Sequence, residues 1–171
     1  MGLMTAADRR REATPARGRP GPGAVAPEPI SLIVGFDDSE SARRALAWGA
    51  NLLRGGGGNL HVIYADRVLI ASDLPGFARA GMDEARDEKA ARMAASAAQI
   101  AAAAGVPHTF ERRQESPATA LLIAADAVGA AGRPGPPVIV VGRSRRATPR
   151  VIGSVPGRLL RRSLYPVLTI A

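Results

Sequence analysis

The chain contains no cysteine. Disulfide scaffolds, thiolate metal sites and cysteine nucleophiles are therefore excluded. Lysine is almost as scarce: Lys89 is the only one among 23 basic residues, the rest being arginine. It lies in Asp-Glu-Lys-Ala-Ala rather than in the Gly-Lys-Ser/Thr run that a Walker-type phosphate loop requires. Aromatic residues make up 4%, too few for a stacking platform on single-stranded nucleic acid. No stretch holds the ~18 apolar residues of a membrane span, and the N-terminus lacks the apolar core of a secretory signal. A cytoplasmic protein with no membrane partner is expected. The two histidines, His61 and His108, show no helical metal-binding spacing, so no metal site is expected.

What remains is ordinary for a globular protein. A length of 171 residues suits one α/β domain, and 46% hydrophobic against 22% charged residues allows a buried core. The net charge of +8 is unevenly placed. Residues 142–171 hold seven arginines and no acidic residue, whereas residues 30–141 are close to neutral. The basicity is local. It fits a phosphate or nucleic-acid contact, and it fits equally a solvated helix face.

Residues 1–29 are rich in Arg, Pro, Gly and Ala without apolar periodicity, and are expected to form a disordered basic tail. Order is expected from residue 30. Ser31 to Phe36 is a short apolar, β-branched run typical of a buried strand. Asp37-Asp38-Ser39 then offers caps for a helix from Glu40 to Leu53, whose apolar face would be Ala42, Ala45, Leu46, Trp48, Gly49 and Leu52. Gly55 to Gly58 reads as a flexible connection. Leu60 to Ala65 is a second strand, Val68 to Gly81 a long loop, and Met82 to Ala104 an alanine-rich helix. Asp83, Glu84, Asp87 and Glu88 would then occupy its first turns as a solvated face. His108 to Arg113 is a third strand at an edge. Ser116-Pro117 opens a helix to about Val128. Val138 to Val141 is the strongest buried-strand signal, Gly153-Ser154 begins a helix to about Ser163, and Pro166 to Ile170 is a last strand. Such alternation predicts a doubly wound, mostly parallel sheet with helices on both faces.

In a sheet of this kind, ligands bind beyond the carboxyl ends of the strands, where strand order reverses. Asp37-Asp38-Ser39, Asp66 and Gly142-Arg143-Ser144 all fall on that rim. The stretch Gly142 to Ser154 combines a glycine suited to close approach, the start of a helix, and Arg143, Arg145, Arg146 and Arg150 as charged donors, which together favour phosphate. The same features also fit a chain turn, a helix cap and solvated arginines. Gly153 to Gly157 is no nucleophile elbow, because its serine stands one place early. No catalytic residue is assigned.

Val34-Gly35-Phe36-Asp37-Asp38-Ser39 resembles the V-G-x-D-G-S motif of the universal stress protein family. Val140 to Ser144, Gly153-Ser154-Val155 and Tyr165 to Ile170 resemble that family's last third. The resemblance implies a five-stranded, Rossmann-like parallel sheet in the order 3-2-1-4-5 over residues 30–171, and a stress-response binding or regulatory protein with at most slow ATP hydrolysis. Nucleotide-binding members carry G-x2-G-x9-G-S/T. Here Gly142 matches the first glycine and Gly153-Ser154 the final pair, but Arg145 stands at the middle glycine and seven residues precede Gly153 instead of nine. For an ATP or other adenine nucleotide, the resemblance implies contacts from Gly35, Phe36, Asp37, Ser39, the backbone near Val62, Gly142, Arg143, Arg145, Gly153, Ser154 and Val155. It also implies a homodimer through the strand 166–170. The alternatives are the family's non-nucleotide-binding branch, acting through protein partners, and a nucleic-acid module using the C-terminal arginines.

Overall fold

Alternating side chains on each short apolar run must serve two faces at once, and the structure shows how both are covered. The computed structural model describes residues 29–67, 76–132, 135–143 and 155–171. The elements are β1 (Ile30–Gly35), α1 (Glu40–Leu53), β2 (Gly58–Ala65), α2 (Gly76–Ala104), β3 (His108–Arg113), α3 (Pro117–Ala130), β4 (Pro137–Gly142), α4 (Val155–Arg162) and β5 (Val167–Ile170). The five strands form one sheet in the order β3-β2-β1-β4-β5, with every neighbouring pair parallel. The basic tail expected over residues 1–29 lies outside the described residues up to residue 28.

The register aligns Phe110, Val62, Val34, Val140 and Leu168 in one row across the sheet. That row faces α1 and α2 and joins Leu46, Ala50, Ala97 and Ala101 in one core. Because side chains alternate along a strand, Ile33, Ile63, Ile139 and Val141 face the other way. They meet Leu121, Ala124 and Ala125 of α3 and Leu159 of α4. His61 and Thr109 sit opposite each other on β2 and β3, with Nδ1 and Oγ1 2.9 Å apart. Pro166 has no N–H, yet its carbonyl accepts from Ile139 N at 2.9 Å and so begins the β4–β5 ladder.

Four expectations change. On α1 the buried residues are Ala42, Ala45, Leu46, Gly49, Ala50 and Leu53. Trp48 and Leu52, expected on the buried face, are 39% and 48% exposed. The apolar stripe of α1 is wider than the core beneath it. Second, α2 begins at Gly76 rather than Met82, so part of the expected loop is helix. Between residues 80 and 92 this helix buries no side chain, and a helix without a buried stripe leaves no period to read. Third, the acidic run Asp83 to Glu88 consequently lies beyond the first turn. Three of its members are not merely solvated, for Asp83, Asp87 and Glu88 pair with Arg86, Arg112 and Arg92. Fourth, Gly58 is part of β2 and not a free connection. At its φ of +142°, a Cβ would lie 2.4 Å from Ile30 O and 2.7 Å from Leu53 Cδ2, so only glycine fits.

Candidate functional site

β1 and β4 lie side by side, yet the chain leaves β1 for α1 on one face and leaves β4 towards α4 on the other. The connections part, and in sheets of this kind the crevice that takes ligands lies beyond the carboxyl ends of such a pair of strands. Phe36 closes the β1 ladder by donating its N–H to Ile63 O at 2.9 Å. Asp37 is the next residue and is exposed. Its Oδ1 accepts the Ser39 N–H at 3.1 Å, and Oδ2 has no partner among the described residues. Ser39 is the cap of α1, its Oγ accepting from Ala42 N at 3.2 Å. The cap role thus falls to Ser39, and Asp37 shapes the turn before it.

Between them Asp38 adopts φ 63°, the left-handed region, where the resembled motif has glycine. Its carboxylate accepts from Ser96 Oγ of α2 at 2.6 Å and forms an ion pair with Arg43 at 2.8 Å. Burial pushes the Asp38 carboxyl up, but the hydrogen bonds from Ser96 and Arg43 and the Arg43 charge outweigh it and hold the pKa below its ordinary value of 3.8. Local hydrogen bonding is what lets aspartate occupy a glycine-like position. Sequence reasoning treated Asp38 only as one of several caps; the signal for its role was the missing motif glycine.

Gly142 ends β4 against the first turn of α1. A Cβ here would sit 2.3 Å from Ser41 O and 2.8 Å from Ala42 N. Its close approach is therefore to the protein's own backbone. Arg143 follows, exposed, with its N–H donated to Ile170 O at 2.7 Å. This contact carries the guanidinium-bearing residue to the same end of the sheet as Asp37 and Ser39.

The other expected site residues are placed differently. Gly35 faces Leu121, whose Cδ1 would lie 3.2 Å from an added Cβ. Phe36 and Val62 have buried side chains in the core facing α1 and α2. Val62 stands opposite Val34 and Phe110 in mid-sheet, away from the strand end. Val155 begins α4 and rests against the core under α3. Arg145, Gly153 and Ser154 lie outside the described residues, as does Ser144. Among the described residues no group of three metal-ligating side chains comes together.

Two rim features were missed by sequence reasoning. Asp66 N–H donates to Arg113 O on the β3 side at 2.7 Å. In a trans peptide the carbonyl points opposite to the N–H, so the Ala65 carbonyl is directed towards β1 and the crevice. The Asp66 carboxylate is itself occupied, held by Arg86 and Arg112. Neither pairing follows from spacing, because the partners are 20 and 46 residues away.

Strand order and parallel pairing define a doubly wound α/β protein. The universal stress protein family model matches residues 31–171, and the chain belongs to that family. Comparison with curated proteins gives no match. Solved structures do. A universal stress protein in complex with cAMP is 25% identical, with a TM-score of 0.65 over 83% of this chain and 97% of the other. The universal stress protein UspA from Lactobacillus plantarum is 17% identical, with a TM-score of 0.66 over 84% and 99%. The universal stress protein from Archaeoglobus fulgidus in complex with dAMP is 20% identical, with a TM-score of 0.56 over 86% and 100%.

Proposed function

We propose that this chain is a cytoplasmic stress-response protein that binds an adenine nucleotide in the crevice between β1 and β4. The observation that carries this reading is Asp37: exposed, one residue past the ladder of the central strand, with one carboxylate oxygen unengaged among the described residues. A carboxylate so placed accepts hydrogen bonds from vicinal ribose hydroxyls. The Ala65 carbonyl, turned towards the crevice, suits the adenine amino group and takes over the role first given to Val62. Arg143, with Arg145 in the segment that follows, supplies forked donors for phosphate. Gly153 and Ser154 directly precede the start of α4 in sequence, where free amides and the helix dipole favour an anion. The related cAMP-bound structure supports the ligand class. Within that class, ATP is the nucleotide the resembled motif favours.

Calorimetry with AMP, cAMP and ATP tests the reading. Asp37→Ala removes the ribose acceptor, and Arg145→Ala removes a charged phosphate donor. Each is expected to weaken binding by about 1.5–3 kcal/mol, the usual worth of a hydrogen bond to a charged group. Unchanged affinity in both variants overturns the placement of the site. If the unaltered protein gives no binding heat with any nucleotide at millimolar concentration, the non-binding branch of the family is the correct reading.

We also propose a homodimer through β5. This strand pairs only with β4 and leaves its outer edge unpaired among the described strands, a ready template for another chain. The face of α1 that carries Arg44 lies towards β5, since Arg44 Nε donates to Ala171 O at 3.3 Å. Trp48 and Leu52 continue that face at successive turns. Between α4 and β5, Leu164 is 94% exposed. A two-fold partner would cover all of them with one self-complementary patch. Leu168→Arg should release monomers or precipitate, as read by light scattering. A stable monomer of the unaltered chain at tens of micromolar, roughly where weak dimers dissociate, defeats the proposal.

A further inference from the structure

The two ends of α2 are held to the sheet by different forces. From Met93 onward the helix buries Met93, Ala97 and Ala101 at successive turns. Between residues 80 and 92 only Arg86 and Ala90 are even half-buried. Most helices gain their stability from an apolar face packed on the body of the protein, and this half has none. Charge holds it instead. The Asp66 side chain, 13% exposed, accepts from Arg86 Nε of α2 at 3.1 Å and from Arg112 Nε of β3 at 2.9 Å. Arg86 Nη2 also donates to the Asp66 carbonyl at 3.4 Å, and Arg112 reaches back to Asp87 of α2. Lys89 lays its ammonium 5.8 Å from the ring centre of Tyr64. Tyr64 is 3% exposed, and its ring stacks on Phe110 with centroids 6.5 Å apart. Beside the clamp an open cleft of about 440 Å³, lined by Asp83, Arg86, Asp87, Arg112 and Gln114, separates helix from strand.

We infer that residues 76–92 form a detachable flap, pinned by Asp66 and opening as a unit as far as Met93. Local opening of this kind is expected where a segment has few apolar contacts and its hold is confined to a few polar groups. Opening uncovers the Tyr64–Phe110 pair and releases the Asp66 carboxylate at the carboxyl end of β2. That end also carries the Ala65 carbonyl, so the flap borders the proposed nucleotide site and gives the rim two states. The flap itself does not depend on the nucleotide reading.

Hydrogen–deuterium exchange on the full chain without ligand tests it, comparing the unaltered protein with Asp66→Asn and Arg86→Gln. Removing one member of a largely buried ion-pair cluster strands the others. Peptides within 76–92 are therefore expected to exchange about tenfold faster or more in both variants. Peptides covering 93–104 and β1 should keep their original rates. Unchanged rates in 76–92 in both variants overturn the inference. So does an equal acceleration through the whole chain, which would make the cluster a general brace. So does a lack of protection of 76–92 in the unaltered protein. If Asp66→Asn does not fold, Arg86→Gln decides alone, because Arg86 sits outside the sheet.

Discussion

Gly142→Ala is expected to lower folding stability by about 3 kcal/mol or more, the upper range for overpacking at a tight site. The atoms an added methyl would meet, Ser41 O at 2.3 Å and Ala42 N at 2.8 Å, belong to backbone in the first turn of α1. No rotamer change relieves such a clash. Either β4 shifts against β1, breaking the ladder that places Val140 beside Val34, or α1 moves from the core formed by Leu46 and Ala50. Urea denaturation of the ligand-free protein gives the measurement. Gly81→Ala serves as the control. It lies inside α2 with open space around its Cα, so alanine there should be neutral or stabilising by up to about 1 kcal/mol. A Gly142→Ala protein as stable as the unaltered chain would return Gly142 to the role first read from its motif, that of a residue kept small for a ligand.

Asp38→Ala should cost about 2–3 kcal/mol. Part is the strain of a methyl-bearing residue at φ 63°, about 1–2 kcal/mol. The rest is the loss of the Ser96 hydrogen bond and the Arg43 ion pair, discounted because the Arg43 side chain is half exposed. Asp38→Asn separates the two parts, since asparagine tolerates the left-handed region but carries no charge. The pH dependence has a definite sign. A carboxyl held below 3.8 in the folded protein contributes stability that is fully present above its unfolded value and is lost as pH falls through the folded value. The stability gap between the unaltered protein and Asp38→Asn should therefore be constant near neutrality and shrink below about pH 4. Thermal unfolding across that range reads it directly. A gap that persists undiminished at low pH would mean that the charge of Asp38 is not what matters.

How much of the site is legible in sequence depends on the range of the interactions involved. The cap at Ser39 and the turn shaped by Asp37 are contacts within three residues, and the string Asp37-Asp38-Ser39 announces them. The hold of Asp38 on Ser96 spans 58 residues, and nothing in the local pattern reports it. Gly142 was read as a position of close approach to a ligand, and the structure shows it close to the backbone of Ser41 and Ala42. What approaches it was not readable, because Ser41 comes from a different element brought near by the β1–β4 pairing. At Val62 the family resemblance pointed to the backbone of β2, and the direction of the Asp66 peptide, which turns the Ala65 carbonyl towards β1, comes only from the tertiary structure.

By itself the sequence determined the alternation of strands and helices, the buried runs at Leu32–Val34 and Ile139–Val141, and the local caps. These follow from side-chain periodicity and short-range hydrogen bonding, which neighbouring residues decide among themselves. With the family motif it also pointed to the strand order and so to the crevice. Only the tertiary structure decided that Trp48 and Leu52 face outward, that α2 runs back to Gly76 and buries no side chain between residues 80 and 92, and that Asp66 is taken by Arg86 and Arg112. Each of these depends on which distant surface lies opposite. A residue's own pattern says that it can be buried or paired, and the fold alone supplies the partner.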